Sequence, residues 1–134
     1  MPAAGGDPEL QGLFSQVKFG ADGLVTAVAV DDGDGAVLML AHMNRESLAL
    51  TFTTGYMTYW SRSRKTLWLK GETSGNRQAV VSASLDCDGD ALVFRVKPEG
   101  AGAACHEGYR SCFFRLRQGG AWEIQGKPLA APGA

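Results

Sequence analysis

Residues 37–61 read VLMLAHMNRESLALTFTTGYMTYWS, and the pattern of apolar side chains changes twice along this stretch. The apolar run at 37–41 predicts a buried strand. From 45 to 54 the apolar residues recur one helical turn apart, which predicts a helix. The aromatic and β-branched residues at 56–61 return to a strand pattern. A strand, a helix and a strand in succession predict an α+β fold.

The predicted helix at 45–54 carries its own start and stop signals. Asn44 belongs to the residue types that cap helix N-termini, and Met43 and Leu48 are spaced as a hydrophobic pair across the first turn. Gly55 can adopt the left-handed conformation with which helices commonly end. No other segment combines these signals, so one helix is predicted.

The rest of the chain reads as short strands joined by turns that contain glycine. The acidic segment at 31–35 lacks the spacing and the distal Glu of an EF-hand, so it predicts a plain turn. We expect a single domain over residues 1–134, with a core at about 17–117, flexible termini and mainly antiparallel strands. The further strands are predicted at 17–19, 24–30, 66–70, 78–85, 91–96 and 113–116.

Length, composition and charge limit the classes of function that the chain can have. The chain has 134 residues, 45% of them hydrophobic, which is enough to bury one core. Its 13 basic and 14 acidic residues leave a net charge of -1, so no overall positive field would hold a polyanion such as DNA. The N-terminus lacks a signal-peptide pattern, and no apolar segment approaches the roughly 20 residues of a membrane span. We therefore expect a cytoplasmic protein that binds neither nucleic acid nor membrane.

The densest chemical signal is Asp86-Cys87-Asp88-Gly89-Asp90. On an extended chain the three carboxylates would share one side and the thiol would point to the other. Hard carboxylate oxygens suit magnesium, whereas a soft thiolate suits zinc. The alternative is a hairpin turn with solvated acids and a small buried cysteine.

A second signal places two more thiols near a histidine. Cys105 and Cys112 are seven residues apart, and His106 follows the first of them. With Cys87 they give three candidate zinc ligands, and a site with three protein ligands leaves a position for water. Adjacent residues seldom reach one ion, so we interpret His106 as a general base. A fourth ligand and an ordinary histidine remain the alternatives for it.

Basic, hydroxyl and glycine residues cluster on both sides of the predicted strand at 66–70. Guanidinium groups, hydroxyls and backbone amides are the donors that a phosphate needs. A hairpin tip with solvated cations is the alternative. The candidate substrate-binding residues are Arg62, Ser63, Arg64, Lys70, Glu72, Thr73 and Ser74.

Taken in order over residues 37–115, these motifs resemble the phosphoribosyl-AMP cyclohydrolase family of histidine biosynthesis. The resemblance is to its monofunctional form, without a phosphoribosyl-ATP pyrophosphatase domain. The motifs that carry it are Tyr59-Trp60-Ser61-Arg62-Ser63, Gly71-Glu72-Thr73-Ser74-Gly75, Asp86-Cys87-Asp88-Gly89-Asp90, Cys105-His106 and Ser111-Cys112-Phe113.

The resemblance implies a hydrolase that opens the adenine ring of phosphoribosyl-AMP between nitrogen 1 and carbon 6. It implies an intertwined homodimer that needs zinc and magnesium, and His106 matches the position of the family's base. The implied ligands are Cys87, Cys105 and Cys112 for a zinc shared between subunits, and Asp86, Asp88 and Asp90 for magnesium.

The residues and the resemblance together predict that zinc-activated water loses a proton toward His106 and adds to carbon 6. The ribosyl group on nitrogen 1 makes this carbon electrophilic, and nitrogen 1 then leaves. A non-enzymatic zinc-binding interaction module is the competing interpretation, but it would need a fourth protein ligand. A thiol redox protein would need a Cys-x-x-Cys pair, which the sequence lacks.

Overall fold

The structure is a computed structural model that describes residues 8–132 of the chain. These residues form two helices and eight strands, and no helix among them is long and apolar enough to cross a membrane. In chain order the elements are α1 (Pro8–Ser15), β1 (Val25–Asp31), β2 (Val37–Met43), α2 (Arg45–Thr54), β3 (Thr58–Ser61), β4 (Thr66–Leu69), β5 (Gln78–Leu85), β6 (Ala91–Pro98), β7 (Arg115–Gln118) and β8 (Ala121–Ile124).

Six of the strands form one sheet in the order β4-β3-β2-β1-β6-β5, and β7 and β8 form a separate hairpin. All neighbouring strands run antiparallel except β1 and β6, which run parallel with Thr26 opposite Ala91. The predicted α+β fold with mainly antiparallel strands is therefore confirmed. The parallel pair places the two ends of β6 beside the corresponding ends of β1, although residues 32–90 separate the two strands in the sequence.

The predicted helix is confirmed at both ends. The Asn44 side chain accepts a hydrogen bond from the Ser47 backbone N–H at 2.8 Å, and the Asn44 backbone N–H donates to the Ser47 hydroxyl at 2.9 Å. Gly55 ends the helix in the left-handed conformation with φ of 80°. Met43 and Leu48 are both fully buried. Local capping chemistry thus fixes where α2 begins and ends.

The core lies between α2 and the sheet and contains two polar side chains that satisfy each other. The Tyr59 hydroxyl, on β3, donates to the Gln78 side-chain oxygen at 2.9 Å, and both residues are buried. The Gln78 amide in turn donates to the Met39 sulfur at 3.4 Å. Buried polar groups are tolerated when they are hydrogen-bonded in this way. The bond ties β3 to β5 across the sheet.

Two expectations for the N-terminal part are wrong. Residues 17–19 form no strand, and the backbone N–H of Lys18 instead donates to the Gly89 carbonyl at 2.7 Å. Helix α1 was not predicted, yet Leu10 and Phe14, one turn apart, are 4% and 5% exposed and belong to the core. The core therefore starts before residue 17. The helix is short, and its start signals are Pro8 and the acidic Glu9 in its first turn.

The C-terminal strands also differ from the prediction. The last strand was expected at 113–116, but β7 begins at Arg115 and β8, which was not predicted, pairs with it. All residues of both strands are exposed, so they show no alternation of buried and exposed positions. The other predicted strands end within a residue or two of the observed ones.

Candidate active site

The three aspartates lie together on the turn between β5 and β6. The backbone N–H groups of Asp90 and Ala91 donate to one oxygen of Asp86, at 2.9 and 3.2 Å. Gly89 adopts a left-handed φ of 77°, which tightens the turn. The hairpin turn named as an alternative in the sequence analysis is therefore what forms here, although Cys87 is exposed and not buried. The turn nevertheless brings a carboxylate oxygen each of Asp86, Asp88 and Asp90 within 4.8 Å of one another.

The carboxylates of this turn influence each other's protonation. Hydrogen bonds with Asp88 and then Asp86 raise the pKa of Asp90. Desolvation acts to raise the pKa of Asp86, but the hydrogen bond from the Ala91 backbone and those within the cluster outweigh it and lower the pKa. Crowded oxygens of this kind are the ligands that a hard divalent cation prefers. The donor set therefore fits the predicted magnesium.

Two of the three cysteines meet in the loop at 105–112. The backbone N–H of Cys105 donates to the Tyr109 carbonyl at 3.1 Å, and that of Cys112 donates to the Leu38 carbonyl of β2 at 2.7 Å. Burial, and after it the neighbouring Cys105 thiol, raises the pKa of Cys112 to about 11. The loop thus folds on itself, is joined to β2 and holds two sulfurs side by side.

Gly108 allows this loop to close. Its φ of 88° is in the left-handed region, and a Cβ at this position would collide with the Ala130 carbonyl. The Gly108 carbonyl also accepts hydrogen bonds from the backbone N–H groups of Leu129 and Ala130. The segment after β8 therefore packs directly on the loop at 105–112, which we call the thiol loop.

Cys87 does not join the other two thiols within one chain. It is exposed on the β5–β6 turn, whereas Cys105 is buried. Among residues 8–132 the aspartates are the only three or more metal-ligating residues whose ligand atoms lie within 4.8 Å. His106 therefore does not form such a group with Cys105 and Cys112 either. A single chain offers zinc two adjacent sulfurs.

His106 stacks on an aromatic ring at the edge of β4. Its imidazole lies 5.2 Å from the Trp68 ring, with 20° between the two planes. Trp68 also packs against Tyr59 of the core at 5.4 Å. The buried tyrosine supports the tryptophan, and the tryptophan supports the imidazole next to Cys105. The arrangement suits a histidine that must keep a fixed orientation.

Two cavities meet at His106, Trp68 and Arg64. One, of about 350 Å³, lies beside β4, and the other, of about 610 Å³, lies between β2 and the β3–β4 turn. Six of the seven predicted substrate-binding residues line one cavity or both, namely Arg62, Ser63, Arg64, Glu72, Thr73 and Ser74. The seventh, Lys70, is fully buried and lines neither.

The larger cavity contains residues that the sequence analysis did not select. His42 and Trp60 face each other in the pairing of β2 with β3, and both line this cavity. Burial and the Arg62 cation lower the pKa of His42, so its imidazole is neutral near pH 7. A histidine within an apolar strand reads as an ordinary packing residue. That it borders a cavity becomes visible only in the folded structure.

Aromatic and cationic side chains line two cavities that share a histidine, and such concave sites with a few converging polar groups are typical of α+β enzymes that bind small molecules. The comparisons narrow this class. The chain belongs to the phosphoribosyl-AMP cyclohydrolase family, a family of enzymes, because residues 39–114 match the model of that family.

Curated relatives agree with this assignment. A phosphoribosyl-AMP cyclohydrolase from Chelativorans sp. (strain BNC1) is 57% identical over 105 residues, which cover 78% of this chain and 76% of the relative. One from Solibacter usitatus (strain Ellin6076) is 53% identical over 114 residues, covering 85% and 90%. One from Brucella canis (strain ATCC 23365 / NCTC 10854 / RM-666) is 56% identical over 105 residues, covering 78% and 76%. The predicted family is confirmed.

Proposed function

We propose that this protein hydrolyses phosphoribosyl-AMP between nitrogen 1 and carbon 6 of the adenine ring. The product is the formimino-type carboxamide ribonucleotide of L-histidine biosynthesis, and a biosynthetic step of this kind belongs in the cytoplasm. The carrying observation is that His106 is stacked on Trp68 where two cavities meet, directly beside Cys105. The relatives bear the name of this activity.

Zinc is the metal that best fits the thiol loop. Cys105 and Cys112 supply adjacent soft ligands, and the buried Lys70 ammonium close to them has no hydrogen-bond partner among the described residues. An uncompensated cation beside two thiols suits thiolates that a metal has deprotonated. When bound, zinc would supply a Lewis acid that activates water for addition to carbon 6.

His106 moves the proton in this reaction. Its imidazole accepts the proton that water loses as the oxygen bonds to carbon 6. It then gives the proton to nitrogen 1 as the bond between that nitrogen and carbon 6 breaks, so the histidine returns to its starting state. The second hydrogen of the water passes from the new hydroxyl to the exocyclic imino nitrogen, which completes the carboxamide. Stacking on Trp68 holds the ring in one orientation during both transfers.

The phosphates of the substrate are assigned to the rims of the two cavities. Arg64 lines both cavities, and Arg62 lines the larger one. Their guanidinium groups can each form paired hydrogen bonds with a phosphate. The Thr73 and Ser74 hydroxyls line the smaller cavity and add neutral donors. Magnesium at the three aspartates would supply a further positive charge.

We also propose that two copies of the chain associate and that each zinc is held by both. Cys87 is exposed, and the thiol loop offers only two sulfurs, so the partner subunit's Cys87 is the natural third ligand. The exposed apolar side chains around β7 and β8 supply a surface that association would bury. They are Phe113, Leu116, Trp122 and Ile124, with exposed fractions of 61%, 51%, 71% and 60%.

The experiment is an assay of ring opening on phosphoribosyl-AMP, followed by ultraviolet absorbance. Chelation should abolish activity, and added zinc should restore it. His106→Ala should keep zinc and lose about 100-fold or more in kcat, since general base catalysis contributes on this scale. Glu107→Ala, an exposed neighbour in the same loop, is the matched control and should stay near wild type.

Two results would contradict the proposal. Near-normal activity of zinc-loaded His106→Ala would remove this histidine from proton transfer. Zinc binding by the wild-type protein without any hydrolysis of phosphoribosyl-AMP would instead favour the non-enzymatic zinc-binding module.

A further inference from the structure

Lys70 is a buried cation whose role the catalytic proposal leaves open. It follows β4, and its residue is 0% exposed. Its ammonium nitrogen has no hydrogen-bond partner among the described residues and lies 5.3 Å from the centre of the Trp68 ring. An ammonium removed from water without a partner is costly, and contact with an aromatic face offsets only a part of that cost. The buried charge of Lys70 therefore lowers the free energy of unfolding.

The Trp68 ring that contacts the Lys70 ammonium also stacks on His106, which directly follows Cys105. Burial lowers the pKa of Lys70, and the charges of Cys112 and Cys105 oppose that shift. Lys70 therefore lies beside the loop that carries Cys105 and Cys112.

A role in phosphate binding does not suit this position. Lys70 lines neither cavity, whereas its neighbours Leu69 and Gly71 both line the smaller one. The chain therefore continues along the cavity wall while the Lys70 side chain leaves it. A phosphate in the cavity would meet Arg64 and the hydroxyls, and the ammonium would remain behind the wall.

We propose that Lys70 is a positioning residue of the zinc centre, whose ammonium neutralises the surplus negative charge of the metal-bound thiolates. This inference rests on the zinc centre proposed above. Three thiolates and a divalent ion sum to a charge of about −1, which one ammonium cancels. A neutral centre is cheaper to bury than an anionic one, so Lys70 strengthens zinc binding.

The test compares Lys70→Met, which keeps the shape of the stem and removes the charge, with Lys97→Met. Lys97 is exposed on β6 and is the matched control. Zinc affinity is measured by competition with a chromogenic chelator. Loss of one compensating charge should weaken zinc binding of Lys70→Met by about tenfold or more, and Lys97→Met should stay within about twofold of wild type.

Stability of the zinc-free protein separates this role from a structural one. Without metal, Lys70→Met should unfold at the same temperature as wild type or higher, because the substitution removes an unpartnered buried charge. A residue needed only for packing would instead lower the unfolding temperature with and without zinc. Cobalt-substituted Lys70→Met should keep its sulfur-to-metal charge-transfer bands, since the thiol ligands are intact.

A measurement on wild-type protein covers the case in which Lys70→Met does not fold. The other four lysines, Lys18, Lys65, Lys97 and Lys127, are exposed. In protein labelled with ¹³C at the lysine side-chain ends, zinc should strongly shift one resonance, that of the buried lysine. An unshifted buried resonance would overturn the proposal.

The remaining outcomes are equally decisive. Wild-type zinc affinity in Lys70→Met overturns the role of Lys70 and leaves the zinc centre standing. A raised KM for phosphoribosyl-AMP with unchanged zinc affinity would indicate that Lys70 binds the phosphates of the substrate and would overturn its role at the zinc centre. Failure of the wild-type protein to bind zinc would contradict the proposed function itself.

Discussion

The imidazole of His42 lies where burial and the Arg62 cation lower its pKa below 6.5, with Asp22 opposing in part. As pH falls through 6.5, the unfolded chain takes up a proton at His42 before the folded chain does. The free energy of unfolding should therefore decrease below this pH, and the contribution of His42 should be constant above it. The neutral variant His42→Gln lacks this dependence.

Urea unfolding at about pH 7.5 and about pH 5.5 tests this prediction. Wild type should lose more stability between the two pH values than His42→Gln does. The sequence has two histidines, so proton NMR can follow both titrations directly. Equal losses in the two proteins, or a His42 titration at or above 6.5, would contradict the assignment of its environment.

Single residues also show where sequence reasoning ends. Residue type selected Cys105, Cys112 and His106 as candidates, because thiols and imidazoles have characteristic chemistry. Residue type also grouped Lys70 with the candidate phosphate ligands, but it could not show that Lys70 is fully buried and lines neither cavity. The direction of a side chain at the end of a strand depends on the packing of distant elements, which composition does not contain.

Helix α2 depends on its N-terminal cap, and Asn44 is the residue to change. Asn44→Ala removes the acceptor for the Ser47 backbone N–H and should lower the free energy of unfolding by about 1 kcal/mol. Asn44→Asp keeps an acceptor and should stay within a few tenths of a kcal/mol of wild type, at about the level of good caps. Denaturant unfolding of the three proteins compares them, and equal midpoints would show that the cap contributes nothing.

The thiol loop is fastened to the β1–β2 turn by Arg110. Its guanidinium donates to Asp31 at 3.1 Å and to Asp34 at 2.9 Å, and the hydrogen bond with Arg110 lowers the pKa of Asp34. The neighbouring Ser111 hydroxyl donates to the Val37 carbonyl at 2.7 Å. The acidic turn at 31–35, predicted as a plain turn, therefore anchors the loop that carries the candidate zinc ligands.

Arg110→Met should loosen this loop and leave the molecule folded. The ion pairs are exposed, so the loss of global stability should be at most about 1 kcal/mol. Hydrogen exchange at the Cys112 amide should accelerate, because its bond to Leu38 loses the adjacent anchor. Arg95→Met breaks an exposed pair with Asp32 on the same turn and is the matched control. Equal exchange at Cys112 in both variants would contradict the anchoring role.

Elements were predicted well where their signals are local. Helix α2 was predicted to the residue because Asn44 and Gly55 lie at its ends, and β5 because apolar residues precede the acidic turn. Helix α1 was missed because it is short, and its stability comes from the burial of Leu10 and Phe14 in the core. The parallel pairing of β1 with β6 is a contact between distant segments and has no local signal.

At the scale of the whole molecule, the candidate metal ligands divide between two places. The β5–β6 turn carries Cys87 among the aspartates, and the loop after β6 carries Cys105 and Cys112. The odd number of cysteines predicted metal chemistry, but spacing along one chain could not show which sulfurs meet. A shared site would be formed by Cys87 of one chain and by Cys105 and Cys112 of the other. A variant that lacks Cys87 and a variant that lacks a thiol of the loop should then restore zinc binding when they are mixed.

Cys87→Ala and Cys105→Ala provide such a pair. Each protein alone should bind little zinc and have little activity. In a mixed dimer, intact Cys87 from one chain meets intact Cys105 and Cys112 from the other, which rebuilds one of the two sites. Refolding an equal mixture should therefore restore about a quarter of the wild-type zinc content and activity, since half of the dimers are mixed.

The control mixture combines Cys105→Ala with Cys112→Ala, whose defects lie in the same half of the site. No arrangement of these chains rebuilds a complete ligand set, so this mixture should remain inactive and poor in zinc. Recovery in the first mixture and none in the second requires a site formed by two subunits. If neither mixture recovers although dimers form, the ligands belong to one chain, and Cys87 must reach the thiol loop by a rearrangement of the β5–β6 turn.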